Sequence, residues 1–174
     1  MKKIAFITIL VLITSGFTAS KKLEASIAKE IKTVFNIDNY TKQSISVSNN
    51  LNETLPLKIT ETNFFKIKSN NTLLGYYYLG RAYGKADYFD FIVIFDKDLI
   101  VSKVKILVYR EDHGGEVGSK RWLKQFIGKS TGMELKYQKD IAAISGATIS
   151  ARSMTNEVNK LFKTIAILNT KEQL

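Results

Sequence analysis

The amino-acid sequence predicts an α+β fold, a single domain in which helices pack on an antiparallel sheet of hairpins. Several strand-like segments follow one another with only short turn sequences between them, which favours antiparallel pairing of neighbours. Segments whose apolar residues recur at helical spacing stand near both ends of the chain. The length of 174 residues is typical of one domain rather than two.

The beginning of the chain has the pattern of an export signal. Lys2 and Lys3 precede an apolar run from Ile4 to Ile13, and small and polar residues follow that run. The run is shorter than a membrane-spanning helix needs. We therefore expect cleavage near Ala19 or Ser20 and a periplasmic or cell-surface protein, with an uncleaved, membrane-associated anchor as the alternative.

Composition divides the chain into three segments. Residues 1–20 are the predicted signal peptide, residues 21–55 a helix and a polar loop, and residues 56–174 the main domain. The helix of the second segment is indicated by apolar residues at helical spacing, namely Leu23, Ile27, Ile31 and Val34. The stretch NIDNYTKQSISVSNNLNETL that follows is rich in Asn and Ser, so we expect a loop there.

Strands are predicted over the first half of the main domain. Residues from about 57 to 68 alternate imperfectly, SNNT then indicates a turn, and LLGYYYLG is the returning strand. The segment YFDFIVIFD is apolar on both faces, which suits a central strand. Asp96–Asp98 turns the chain into the strand LIVSKVKILVYR. One face of that strand carries Ile100, Val104, Ile106 and Val108, and the other carries Lys103 and Lys105.

The second half of the main domain is predicted to contain a loop, two helices and one further strand. The glycine-broken loop REDHGGEVGSK precedes a short helix that ends at Gly128. One side of this helix carries Trp122, Leu123, Phe126 and Ile127. A strand is expected over residues 137–144. The last helix has an apolar stripe of Met154, Val158, Leu161, Ile165 and Leu168.

Composition also excludes several kinds of functional site. The chain has no cysteine, which excludes a disulfide scaffold, an iron–sulfur site and a thiolate nucleophile. His113 is the single histidine, which excludes a metal site built from several histidines. The net charge of +10, or +8 without Lys2 and Lys3, suits an anionic lipid surface or an acidic partner protein. Because we expect export, we do not expect nucleic acid as a partner.

The stretch AISGATISARSM joins the predicted strand to the last helix, and small and hydroxyl residues are concentrated in it. One interpretation is that Thr148 or Ser150 merely caps the helix. The other is an anion site, because the first amides of a helix lack partners and its dipole attracts negative charge. Arg152, in the first turn, adds a charged contact. The run of small residues exceeds what a cap needs, which keeps the phosphate interpretation open.

The same stretch resembles the flavin-attachment motif of the FMN-binding domain family, which includes the covalent-flavin subunits of sodium-translocating NADH:quinone reductase and of Rnf complexes. The segments GYYYLGRA, FDFIVIFDKDLIVSKVKILVYRED and GGEVGSKRWLKQFIGKS follow the family's order, so the resemblance covers most of Leu73–Leu168. It implies FMN as the cofactor, joined through its phosphate to a hydroxyl residue by a flavin transferase that uses FAD and magnesium. By position, Ser145, Gly146, Ala147 and Thr148 form the loop and Ser150 is the acceptor.

Two positions differ from the family pattern. The acceptor is more often Thr, and here it is Ser150; Ala142 stands where the family has an acid, and the nearest acid is Asp140. A noncovalent FMN binder therefore remains an alternative, and Thr148 remains an alternative acceptor.

The loop GGEVG resembles the family segment that lies near the bound flavin, which makes Gly115, Glu116 and Gly118 candidate cofactor contacts. Lys120 and Arg121 follow it: a solvated helix face is the favoured interpretation for either one alone, and positive charge offered to a reduced flavin is the alternative. The sequence thus predicts an exported electron carrier or redox-complex component rather than a stand-alone enzyme, with a flavin transferase and membrane redox proteins as partners. The alternative is a non-redox module that binds a partner or the membrane surface, in which the motif is only a helix cap.

Overall fold

The computed structural model describes residues 21–174, which fall into two compact units with the boundary between Asn36 and Ile37. In the first unit, residues 21–35 form a helix (α1), which confirms the predicted N-terminal helix. The predicted signal peptide lies outside the described residues. Within the described part of the chain, no helix is both long and apolar enough to cross a membrane.

The second unit is built on a five-stranded antiparallel sheet, which confirms the α+β prediction. Each strand pairs with the next one along the chain, so the sheet is a simple meander. The strands are β1 (Thr41–Ser44), β2 (Phe64–Ser69), β3 (Thr72–Tyr83), β4 (Tyr88–Asp96) and β5 (Val101–Val108). A short helix, α2 (Asn49–Thr54), lies between β1 and β2.

The loop predicted for the polar stretch before residue 56 is wrong, because that stretch contains β1 and α2. The sequence of β1 is TKQS, which lacks the alternation of apolar and polar residues that indicates a strand. Its strand conformation instead comes from backbone pairing with β2 at the edge of the sheet. The sheet therefore begins before residue 56.

The predicted hairpins are confirmed, although the first strand, predicted from about residue 57, begins only at Phe64. Before it, the Thr60 amide donates to the side chain of Asn63 at 2.8 Å, and residues 61–63 form a turn. Asn70 and Asn71, between β2 and β3, have φ angles of 48° and 63°, the pattern of a type I′ turn, and asparagine tolerates such angles. Strand β4 is interior, and its residues 91–95 are all buried. A shift of register opposite Phe95 in β4 pairs that residue with Val101, so Val101 is buried while Ile100, predicted for the inner face, is exposed.

Four helical segments lie in the second half of the unit: a 3₁₀ turn (Gly115–Gly118), α3 (Lys120–Leu123), a second 3₁₀ turn (Lys124–Phe126) and the long helix α4 (Thr148–Thr170). The apolar stripe predicted for α4 is fully buried, and the helix packs along β3. The apolar side predicted for α3 is buried at Trp122, Leu123 and Phe126, but Ile127 is exposed.

The strand predicted for residues 137–144 is wrong. That segment makes only an isolated bridge between Tyr137 and Ile141 and otherwise forms a turn. The carbonyl of Lys136 accepts hydrogen bonds from the amides of Lys139, Asp140 and Ile141. The carboxylate of Asp140 accepts from the Lys136 amide at 2.8 Å. Local hydrogen bonds therefore stabilise a turn where apolar residues indicated a strand.

Candidate functional site

The hydroxyl-rich loop ends in an uncapped helix. Gly146 has φ of +80°, a conformation that glycine adopts without strain, and α4 begins at Thr148 with Ala147 as its N-cap residue. The methyl group of Ala147 cannot accept a hydrogen bond, so no side chain at the cap position satisfies the first amides of the helix. The interpretation of Thr148 or Ser150 as a helix cap is therefore wrong. The first-turn amides remain suited to an anion.

The two hydroxyls of the first helical turn differ in environment. Thr148 is exposed, whereas Ser150 is buried, with 3% of its surface exposed. The Oγ of Ser150 lies 3.3 Å from the phenolic oxygen of Tyr109, just after β5. Ser145 is exposed at the start of the loop. Thr148 and Ser145 are thus more accessible to a reagent in solvent than Ser150 is.

The glycine-rich loop packs directly against the hydroxyl loop. Gly114 has φ of +80°, and a Cβ added there would lie 3.4 Å from the Gly146 carbonyl oxygen and 2.8 Å from the Tyr109 hydroxyl. The Tyr109 hydroxyl also donates to the carbonyl of His113 at 2.9 Å. Gly114 is therefore the point where only a residue without a side chain lets the two loops meet.

Residues 115–118 form a 3₁₀ turn, with Val117 buried beneath it and Glu116 exposed. A Cβ added at Gly115 would meet no atom of the described chain within 4 Å, and one at Gly118 would be in ordinary contact with Ile106 at 3.7 Å. The structure thus brings the two predicted loops together. Neither Gly115 nor Gly118 is so closely packed that an added Cβ would clash.

A cleft of about 590 Å³ lies between α3 and the segment that leads into the hydroxyl loop. We name it the α3 cleft; it is lined by Glu116, Ser119, Arg121, Trp122, Lys124, Gln125, Ala142, Ala143, Ile144 and Ser145. Trp122 and Ile144 supply apolar surface, and Arg121 and Lys124 supply positive charge. The cleft therefore joins both predicted loops in one concave surface.

Two hydrogen bonds join the two sides of the α3 cleft. The indole Nε1 of Trp122 donates to the carbonyl of Ala142 at 2.8 Å, and the Ala142 amide donates to Gln125 Oε1 at 2.8 Å. Gln125 in turn donates from its Nε2 to the Trp122 carbonyl at 3.0 Å. Ala142, where the sequence resemblance implies an acid, is thus bonded through its backbone to α3 and the 3₁₀ turn that follows it.

A second concave surface lies along the beginning of α4. This α4 groove, of about 580 Å³, includes Tyr83, Thr148, Ile149 and Arg152 among its lining residues. The guanidinium of Arg152 lies over the ring of Tyr137, 5.5 Å from its centroid, in a cation–π contact. The structure therefore places Arg152 with Thr148 in the α4 groove, whereas Glu116 and Ser145 line the α3 cleft.

Four residues that shape the site were missed by the sequence reasoning: Tyr109, Gly114, Trp122 as a hydrogen-bond donor, and Gln125. The pair Gly114-Gly115 carried a usable signal, since adjacent glycines mark a tight approach of backbone. Tyr109 carried none, because its contact with Ser150 spans 41 positions of sequence.

One comparison with known proteins bears on this site. Residues 84–163 match the family model of the FMN-binding domain. The matched range contains β4, β5, both loops, α3 and most of α4, and so every predicted site residue. A search of curated proteins gave no significant match.

Proposed function

We propose that this chain is an exported electron-transfer flavoprotein with its FMN joined to Ser150 through the phosphate. The proposal starts from residues 84–163, which belong to the FMN-binding domain family. FMN is therefore the cofactor. Bound FMN supplies reversible electron transfer. The proposed partners are a flavin transferase, which attaches the cofactor, and redox proteins at the membrane, which exchange electrons with it outside the cytoplasm.

The residues of the site fit this cofactor. The uncapped first turn of α4 offers backbone amides and a positive dipole end to a phosphate. The α3 cleft, at about 590 Å³, lies within the range of about 300–1,000 Å³ typical of small-molecule sites. Arg121 and Lys124 favour the negative charge that a flavin gains on reduction, and Trp122 and Ile144 exclude water from an aromatic ring.

The observation that carries the proposal is the meeting of the two loops at Gly114, directly beside an uncapped helix N-terminus. Attachment uses FAD as the co-substrate of the transferase. The Oγ of Ser150 forms a bond to the phosphorus of the FMN half, and the bond between that phosphorus and the bridging oxygen breaks. AMP leaves with the electron pair, and the serine proton passes to a base of the transferase.

Noncovalent FMN binding is the second candidate, and one observation favours it. Ala142 has no carboxylate, and the nearest acid, Asp140, is already bonded to the Lys136 amide. If the transferase requires an acid at that place, the same cleft holds FMN without a covalent bond.

The test is to express the full chain with and without a flavin transferase and to examine flavin fluorescence before and after denaturation. We expect fluorescence to stay with the denatured chain of the wild type and of Ser150→Thr, and to be lost in Ser150→Ala. Thr148→Val is the matched control and should keep the flavin. Flavin that is present in the native protein and released on denaturation would instead support the noncovalent candidate, and no flavin at all would contradict both.

A further inference from the structure

Tyr109 is the side chain that holds the Ser150 hydroxyl in place. Its phenolic oxygen is 3.3 Å from Ser150 Oγ and 2.9 Å from the carbonyl oxygen of His113. The phenol ring itself lies against Phe89, with 5.6 Å between the ring centroids, so packing as well as hydrogen bonding fixes its position.

The direction of the two hydrogen bonds follows from their chemistry. A carbonyl oxygen can only accept, so Tyr109 gives its single proton to His113. The remaining contact then requires that Ser150 donates its proton to the phenolic oxygen. The proton of Ser150 points at Tyr109 in this arrangement, and the lone pairs of Oγ point elsewhere. A chain of this kind also polarises the serine O–H bond.

We propose that Tyr109 is a positioning residue for flavin attachment, which orients the Ser150 hydroxyl so that its lone pairs face the incoming phosphorus. This inference rests on the proposed covalent function. Tyr109 does not itself enter the covalent bond changes: the new bond joins Ser150 Oγ to phosphorus, and AMP leaves from FAD. The Ser150 proton leaves its hydrogen bond to Tyr109 and passes to the base of the transferase.

Tyr109→Phe tests the inference, because it keeps the ring against Phe89 and removes only the hydroxyl. Tyr137→Phe is the matched control, since the Tyr137 hydroxyl is buried without a hydrogen-bond partner among the described residues. Full-length apo-protein is incubated with purified transferase, FAD and magnesium, at a temperature at which all variants are folded by circular dichroism. The initial rate of covalent flavin incorporation is measured against the concentration of apo-protein.

We expect Tyr109→Phe to lower kcat of attachment about three- to tenfold, the effect of one lost hydrogen bond, with KM for the apo-protein unchanged. Tyr137→Phe should be attached at the wild-type rate. Equal kcat values for Tyr109→Phe and wild type, or an equal loss in both Tyr→Phe variants, would overturn the inference while leaving the proposed function intact. A wild type that accepts no flavin, or a Ser150→Ala that accepts as much as the wild type, would overturn the proposed function and the inference with it.

Discussion

At the scale of single residues, the sequence predicts which residues form the candidate site but not the surroundings of its central hydroxyl. The loop from Ser145 to Thr148 was recognisable because a run of small residues before a helix is visible in the sequence itself. The burial of Ser150 and its contact with Tyr109 were not, since Tyr109 lies just after β5, far from Ser150 in the sequence. Contacts between distant parts of the chain have no local sequence signal, so the sequence alone leaves both the helix cap and the anion site open.

Gly114 is predicted to be the most sensitive glycine of the site. Gly114→Ala forces a side chain into the left-handed region and against the Tyr109 hydroxyl, which should destabilise the fold by about 1–2 kcal/mol. Gly115→Ala is the control, because its added Cβ meets no atom of the described chain within 4 Å. Thermal unfolding should show a lower Tm for the first variant alone. Equal Tm values would mean that the two loops do not meet closely at Gly114.

At the scale of elements, the predictions succeeded where the hydrophobic period was strong and failed where backbone bonding decided. The stripe of α4 and the run of β4 each bury their apolar residues as predicted. The segment 137–144 forms a turn because the carbonyl of Lys136 accepts hydrogen bonds from three backbone amides. Strand β1 forms because β2 offers a free edge. Neither cause is visible in residue hydrophobicity.

The connection between α3 and the hydroxyl loop should control FMN affinity. Gln125→Ala removes the acceptor of the Ala142 amide and a donor to Trp122, which should cost about 1 kcal/mol of stability and weaken noncovalent FMN binding several-fold. Gln125→Glu keeps an acceptor for Ala142 and should retain more of the affinity. The measurement is a fluorescence titration of apo-protein, made without transferase, with free FMN. Unchanged affinity in Gln125→Ala would argue against the α3 cleft as the flavin site.

The hairpin between β3 and β4 should lose stability in acid. The carboxylate of Glu111 accepts from the amides of Ala86 and Asp87 at 2.9 and 3.2 Å, and these backbone hydrogen bonds, with that to Ala86 the largest cause, hold the Glu111 pKa below its ordinary value of 4.5. The stability that Glu111 contributes is therefore present above pH 4.5 and lost as the pH falls below it.

Glu111→Gln cannot titrate, so its Tm should fall less than that of the wild type between neutral pH and the acid side of this range. Both proteins are compared by thermal unfolding at matched ionic strength, because salt also screens the surrounding charges. The same fall in Tm for both proteins would show that Glu111 is not responsible for the acid response of the hairpin.

At the scale of the whole molecule, the fold is a meander sheet that carries two loops on one compact unit, and most of this was predictable. Successive hairpins need only local turns, so the sheet order followed from the strands themselves. The α3 cleft was not predictable, because its two walls, residues 116–125 and 142–145, are separate in the sequence and come together only in the folded chain. Export stays a prediction from the sequence. Together with the net charge of +10, it suits a protein working beside an anionic membrane.

The central claim, covalent FMN on Ser150 of an exported chain, is tested most directly by mass spectrometry of the protein purified after co-expression with a flavin transferase. The intact mass should correspond to a chain that begins near Ala19 or Ser20 and has gained one FMN less one water. Trypsin should release residues 140–152 as a modified peptide, and fragmentation should place the whole gain on Ser150. An unmodified peptide, or a gain located on Thr148, would contradict the account.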